Sequence, residues 1–209
     1  MPIKNHIVFV VDHSGSMSTM REAVVSGFNE QVQTVKSHPH REHVRVGLVT
    51  FDSQVRENFI EQDRAVLHEI SLEDYVPRGN TAMYDGIAYA IQRLQAVVQD
   101  SENDTYLVIV ITDGQENSSK WVTQAAVAKQ IKQLQATGRW SFVVMGANID
   151  LAYAQAAGVQ HGNFRTFIPD SAGMGIAMRS LSHGVGNYMS ESSRGLVPDS
   201  ADFYGTPSN

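Results

Sequence analysis

The sequence predicts an α/β fold: a doubly wound, mostly parallel sheet with one antiparallel edge strand and helices on both faces. Three observations predict it. Short apolar runs alternate with longer segments of helical period, which implies crossover connections. The apolar runs are continuous rather than alternating, as strands covered on both faces require. One pair of runs is joined by only three residues, too few for a crossover.

Ile7–Val11 is the first strand, and Val24, Phe28, Val32 and Val35 then recur at helical spacing. Val44–Phe51 is the second strand. Val55–Ile60 follows it after Asp52, Ser53 and Gln54, so this third strand is an antiparallel hairpin edge. Ile87, Ile91, Leu94 and Val98 mark the next helix, and Tyr106–Ile111 the next strand. A helix carrying Val127, Ile131 and Leu134 ends where Gly138 supplies a C-terminal cap, ahead of the strand Trp140–Met145.

Beyond Met145 the pattern weakens. Asp150–Ala157 is a short helix ending at Gly158, and Asn163–Ile168 a short strand stopped by Pro169. Met174, Met178, Leu181, Val185 and Tyr188 keep helical spacing, diluted by Gly184 and Gly186. From Glu191 the composition turns to Ser, Gly, Pro and Asp. The expected organisation is therefore one domain over residues 1–190 and a flexible tail over 191–209.

Composition excludes several function classes. The absence of cysteine removes disulfides, thiolate metal sites and a cysteine nucleophile. With 16 basic against 22 acidic side chains the chain has no basic stripe for a nucleic-acid backbone. The longest apolar runs, Ile7–Val11 and Leu107–Ile111, fall far short of the roughly 20 residues that cross a bilayer, so no membrane partner is expected. The first run is also shorter than the ~7–15 residue apolar region of a secretory signal, and a cytoplasmic location is expected.

Ligands of an open parallel sheet bind beyond the carboxyl ends of its strands. Those ends carry Asp12-His13-Ser14-Gly15-Ser16, Asp52, Thr112-Asp113-Gly114 and Gly146-Ala147-Asn148, and the loop Gly79-Asn80-Thr81 joins them. Two carboxylates and three hydroxyls thus converge on one edge: Asp12, Asp113, Ser14, Ser16 and Thr81. Oxygen ligands without nitrogen or sulfur suit a small hard cation, Mg²⁺ first, with Mn²⁺ or Ca²⁺ as alternatives. Alternation in Asp-x-Ser-x-Ser aims side chains at one centre, and an open position remains for an outside oxygen.

Asp12-His13-Ser14-Gly15-Ser16, then Thr81, then Asp113-Gly114, resembles the metal-ion-dependent adhesion site (MIDAS) of the von Willebrand factor type A (VWA) domain family, whose fold is Rossmann-like. The resemblance runs from Ile3 to about Met189. With Trp140–Asp150 reading as a strand followed by Gly-Ala-Asn-Ile-Asp, it looks nearest to small stand-alone microbial members. It implies direct metal contact by Ser14 and Ser16, direct or water-mediated contact by Thr81, Asp12 and Asp113, and a partner protein whose Asp or Glu completes the shell. It implies no catalysis.

Neighbouring residues are candidates for a second shell or a partner rim. His13 is expected to face solvent or partner, because adjacent side chains diverge. Asp52 reads as a turn residue. Asp85 lies one turn after Thr81, where the helix dipole alone favours an acid. Glu116, Asn117, Asn148 and Asp150 would rim the same edge. His38, His40 and His43 invite a zinc reading, but Pro39 and the lack of a fourth ligand favour a polar surface loop.

Two other functions fit less well. A Mg²⁺-dependent phosphohydrolase or phosphotransfer domain needs a second catalytic Asp and a cation for phosphate. Here those loop positions are Ser14 and Ser16, and only Arg78 and Lys120 stand near. A structural or assembly subunit with a fold-stabilising metal is the third. The expected partner is a protein presenting Asp or Glu, and the chain itself a monomer or weak self-associator.

Overall fold

The computed structural model describes residues 3–40, 43–63, 65–99, 102–199 and 201–204. Among them six strands form one sheet: β1 (Lys4–Asp12), β2 (Val44–Phe51), β3 (Val55–Gln62), β4 (Asp104–Thr112), β5 (Trp140–Gly146) and β6 (Phe164–Thr166). Their order is β3-β2-β1-β4-β5-β6. All neighbours are parallel except β2 and β3, whose hairpin is antiparallel as its short link requires. Among the described residues four α-helices connect them and a fifth follows β6: α1 (Arg21–Ser37), α2 (Met83–Val97), α3 (Gln124–Gln135), α4 (Leu151–Ala156) and α5 (Ser171–Ser193).

Helices on both faces explain the continuous apolar runs. Ile7, Phe9 and Val11 of β1 point into a core shared with α1 and α5. Val8 and Val10 point into the opposite core, shared with α2, α3 and α4. Every residue of β4 and β5 is buried. The polar Gln31 at the α1–α5 contact is accommodated because its amide donates to Met178 O at 3.1 Å and Ser182 Oγ at 2.7 Å.

The chain winds outward from β1 to β3, then returns to the other side of β1 with β4. The carboxyl ends of β1 and β4 therefore face a crevice where the strand order reverses, the usual ligand position in such sheets.

The expected flexible tail is a difference. α5 continues to Ser193, and Phe203 is buried in the α1/α5 core. Gly184 makes room for it: a Cβ there would lie 2.4 Å from the Phe203 ring. The Phe203 N–H donates to Asn163 Oδ1 at 2.9 Å, and the Arg165 guanidinium lies 4.5 Å over the Tyr204 ring. Ser200 and residues 205–209 of that segment lie outside the described residues. Phe203→Ala should lower stability by about 3 kcal/mol, as deletion of a core aromatic does, and urea denaturation should show it as an earlier midpoint.

Candidate metal centre

Asp12 ends β1 fully buried, and three neighbours fix it. One carboxylate oxygen accepts the Ser14 N–H at 2.7 Å, and the other accepts the Thr112 hydroxyl at 2.6 Å. The Tyr75 hydroxyl donates to the Asp12 main-chain carbonyl. The following loop is tied on both sides: His13 N donates to Phe51 O at 2.6 Å and Gly15 N to Gly79 O at 3.1 Å. A 3₁₀ turn over Gly15–Met20 then buries Met17 and Met20. The Ser14 and Ser16 hydroxyls lie 3.1 Å apart, and Ser16 donates to Asp113 Oδ1 at 2.7 Å. Asp12, Ser14, Ser16 and Asp113 thus form one connected set across the β1/β4 crevice.

Thr81 reaches the same edge from the loop ahead of α2. Gly79 adopts φ +69°, a left-handed turn that a side chain would strain, and Asn80 N donates to Ser53 Oγ at 3.0 Å. Thr81 N donates to Asn117 Oδ1 at 2.9 Å, and Thr81 O accepts from Asn117 N and Ser118 N. Its backbone is bound to the loop after β4, which leaves the buried hydroxyl for other work.

Burial pushes the Asp12 carboxyl up to about 6, against the lowering bonds from Thr112 and Ser14, with Asp113 adding repulsion. Burial raises Asp113 as well, opposed by Ser16. Among the described residues neither carboxylate forms an ion pair. Two buried acids without a counter-charge are unfavourable unless a cation joins them. The five oxygen-bearing side chains fit a hard divalent ion, with Asp12, Asp113, Ser14, Ser16 and Thr81 as the residues that would hold it.

The rim candidates divide by role. His13 is corrected: it is only 6% exposed, its ring tilted against Tyr75 at a centroid distance of 4.8 Å. Burial, then the nearby Arg56 charge, lowers its pKa and keeps the ring neutral. Asp52 is the turn residue expected, accepting from Gln54 N at 2.8 Å, and it also pairs with Arg56 at 2.8 Å and Arg78 at 3.3 Å. Its burial is outweighed by those bonds, and its pKa is lowered.

Asp85 does more than face a helix dipole: its oxygens accept the N–H groups of Lys120, Trp121 and Val122. Glu116 accepts from Tyr84 N, Ser118 N and Ser119 N. Asn148, at φ +55°, donates to Asp113 O at 2.9 Å, and Asp150 caps α4 through Tyr153 N. His38 and His40 lie in a surface loop, and no group of three His, Asp or Glu side chains arranged for a metal occurs among the described residues.

Two positioning residues escaped the sequence reading. Thr112 was visible as the residue before Asp113, but its bond to Asp12 crosses strands. Tyr75 sits in a loop without periodicity, where nothing in the sequence marks it. Asn117, expected on the partner rim, instead holds the Thr81 backbone.

Comparison with known proteins agrees with this fold. The family described as von Willebrand factor type A domain matches residues 6–167. No curated protein sequence matches significantly. Similar solved structures include proximal thread matrix protein 1 from the mussel byssus, 16% identical over 85% of this chain and 47% of that one, TM-score 0.64. The same mussel protein is also known with a zinc-occupied MIDAS motif. A von Willebrand factor type A protein from Catenulispora acidiphila is 19% identical over 86% of this chain and 42% of that one, TM-score 0.62. The vWF domain of the type V pili tip protein Mfa5 from Porphyromonas gingivalis is 13% identical over 90% and 97%, TM-score 0.67.

At these identities the structures share the fold, and this chain spans less than half the length of the mussel and Catenulispora chains. Among the described residues no helix is long and apolar enough to cross a membrane. A match that covers most of the chain and includes the loops predicted to carry the metal ligands assigns it to the von Willebrand factor type A domain family.

Proposed function

We propose that the chain is a non-catalytic protein-binding module that captures an Asp or Glu side chain of a partner protein through a divalent ion, Mg²⁺ in the first instance, held by Asp12, Ser14, Ser16, Thr81 and Asp113. The observation that carries this reading is the connected set of two buried, unpaired carboxylates and bridging serine hydroxyls at the β1/β4 crevice. When bound, such an ion supplies an electrophilic position for one outside oxygen. The chain's own part is to hold the donors: Thr112 and Ser14 N–H fix Asp12, Ser16 fixes Asp113, and Asn117 fixes the Thr81 backbone.

No step in this reading needs a nucleophile. Arg78, the cation that a phosphate would need, leans on Asp52 instead. A location in the cytoplasm and a monomeric or weakly self-associating state belong to the same proposal, checked by cell fractionation and sedimentation. The test of function is a pull-down in Mg²⁺ eluted with chelator. Release of a protein whose binding is lost on replacing its acidic residue by the amide supports the reading. Turnover of a generic phosphate ester, abolished by Asp12→Asn, would replace it with a phosphohydrolase.

The raised Asp12 pKa sets a pH dependence. A carboxyl raised from 3.8 to about 6 holds its proton longer in the folded state, so its contribution to metal-free stability is present below 3.8 and lost as pH rises through 6. A cation binds the ionised form and restores what ionisation removes. The Mg²⁺-induced rise in Tm should therefore be small at about pH 5 and fully developed by about pH 7, read by thermal melts across that range.

A further inference from the structure

Residues 114–123, between β4 and α3, contain no helix or strand, yet they are pinned along most of their length. Glu116 takes three backbone N–H groups and the Ser119 hydroxyl. Asn117 and Ser118 donate to Thr81 O. The buried Asp85 carboxylate, from the first turn of α2, accepts Lys120 N at 2.7 Å, Trp121 N at 3.0 Å and Val122 N at 3.1 Å. Charge-assisted bonds of this kind hold a segment firmly.

What the clamp presents is Trp121. Its side chain is left 66% exposed, while the other tryptophan, Trp140, is 4% exposed in the core. Isolated exposed apolar residues are ordinary on protein surfaces. This one differs because its backbone is bonded to a buried carboxylate and because it stands beside the metal edge. Its loop leaves the edge at Asp113 and is bonded back to Thr81 O through Asn117 N and Ser118 N, three residues before Trp121.

The charges around it are compatible with an acidic visitor. Asp52, Asp85 and Glu116 turn inward onto guanidinium or N–H donors, and the exposed Asp150 is engaged by Tyr153 N. On the β2 side of the edge Arg78 is paired with Asp52, its side chain 64% exposed. The edge offers an aromatic plate among acids that are already held by donors rather than a field of free acids.

We propose that Trp121 is a fixed apolar anchor of the metal edge, and that the partner is a protein segment carrying an aliphatic or aromatic side chain within a few residues of its metal-seeking Asp or Glu. The proposal rests on carboxylate capture at Asp12, Ser14, Ser16, Thr81 and Asp113. A rigid aromatic gives a large share of binding energy because little loop or side-chain freedom is lost when it docks.

The test pans a random linear peptide library on the full chain in Mg²⁺ with chelator release. Selected peptides should share an acidic residue and an apolar residue at fixed spacing. Their affinity for Trp121→Ala should fall about tenfold or more, as at interface hot spots, while the Mg²⁺ response of the variant's Tm stays native. Trp121→Phe, which keeps an aromatic plate, should recover part of the affinity and guards against misfolding of the alanine variant. Enrichment of acidic peptides with no apolar preference, or equal affinity for native and Trp121→Ala chains, overturns the anchor alone. A library yielding no chelator-released acidic peptide overturns carboxylate capture, and the anchor with it.

Discussion

Asp12→Asn is expected to be less stable than the native chain in Mg²⁺ and more stable than it in chelator. The two halves have different origins. With Mg²⁺ at about 100 times its Kd, the native chain gains about 2.7 kcal/mol that a chain without the site does not. Without metal, the native Asp12 is a buried acid whose pKa is raised to about 6. Neutralising it by amide substitution relieves on the order of 2 kcal/mol at neutral pH, less whatever the Thr112 and Ser14 bonds lose. Asparagine keeps an oxygen for the Ser14 N–H and a donor for the Thr112 hydroxyl, so the loop should persist. Thermal melts of both proteins in both conditions should therefore cross. Parallel shifts in Mg²⁺ would place the ion elsewhere. Asp113→Asn should behave alike, with a smaller gain in chelator because Asp113 is less deeply enclosed.

Asp85→Ala should be among the most destabilising single changes outside the two cores. It deletes an acceptor that serves three backbone N–H groups, leaving Lys120, Trp121 and Val122 without their partner. Hydrogen bonds to a charged group contribute about 1.5–3 kcal/mol each and are not additive, so a loss of about 3–4 kcal/mol is expected. The α2 N-terminus also loses the acid that its dipole favours. Asp85→Asn should fall between, since its amide offers one oxygen and turns N–H groups toward the other donors. Urea denaturation measures the loss. Amide hydrogen exchange should show it locally, with protection vanishing at residues 120–122 before the strands are affected.

The fold was legible because burial on both faces writes itself into the strands as unbroken apolar runs. Ile7–Val11 and Tyr106–Ile111 needed no partner to be recognised, and three-residue spacing alone made β3 antiparallel. The candidate ligands were legible for a related reason. A doubly wound sheet gathers its strand ends, so Asp12 and Asp113, a hundred residues apart, become neighbours once β1 and β4 pair. What the sequence hid depends on contacts between segments that have no period. His13 looked free because Tyr75, whose ring packs against it at a tilt, sits in a loop. Asp85 looked like an ordinary first-turn acid because its three donors lie 35–37 residues onward. The tail looked flexible because Phe203 and Tyr204 are two aromatics among Ser, Gly, Pro and Asp, and the Phe203 notch exists only where Gly184 lacks a side chain. In each case composition described the segment correctly while the deciding partner lay elsewhere.

Water-proton relaxation of the Mn²⁺-loaded chain tests carboxylate capture most directly, because Mn²⁺ enhances relaxation through the waters it holds. Titrating in an acidic peptide selected on the Mg²⁺-loaded chain should lower the enhancement saturably, as a peptide oxygen takes the place of bound water. The same peptide with its acid changed to the amide should leave it unchanged, and chains carrying Asp12→Asn or Asp113→Asn should show no saturable enhancement to lose. An enhancement that is indifferent to the peptide's acid, or equal in the native and substituted chains, would contradict the account.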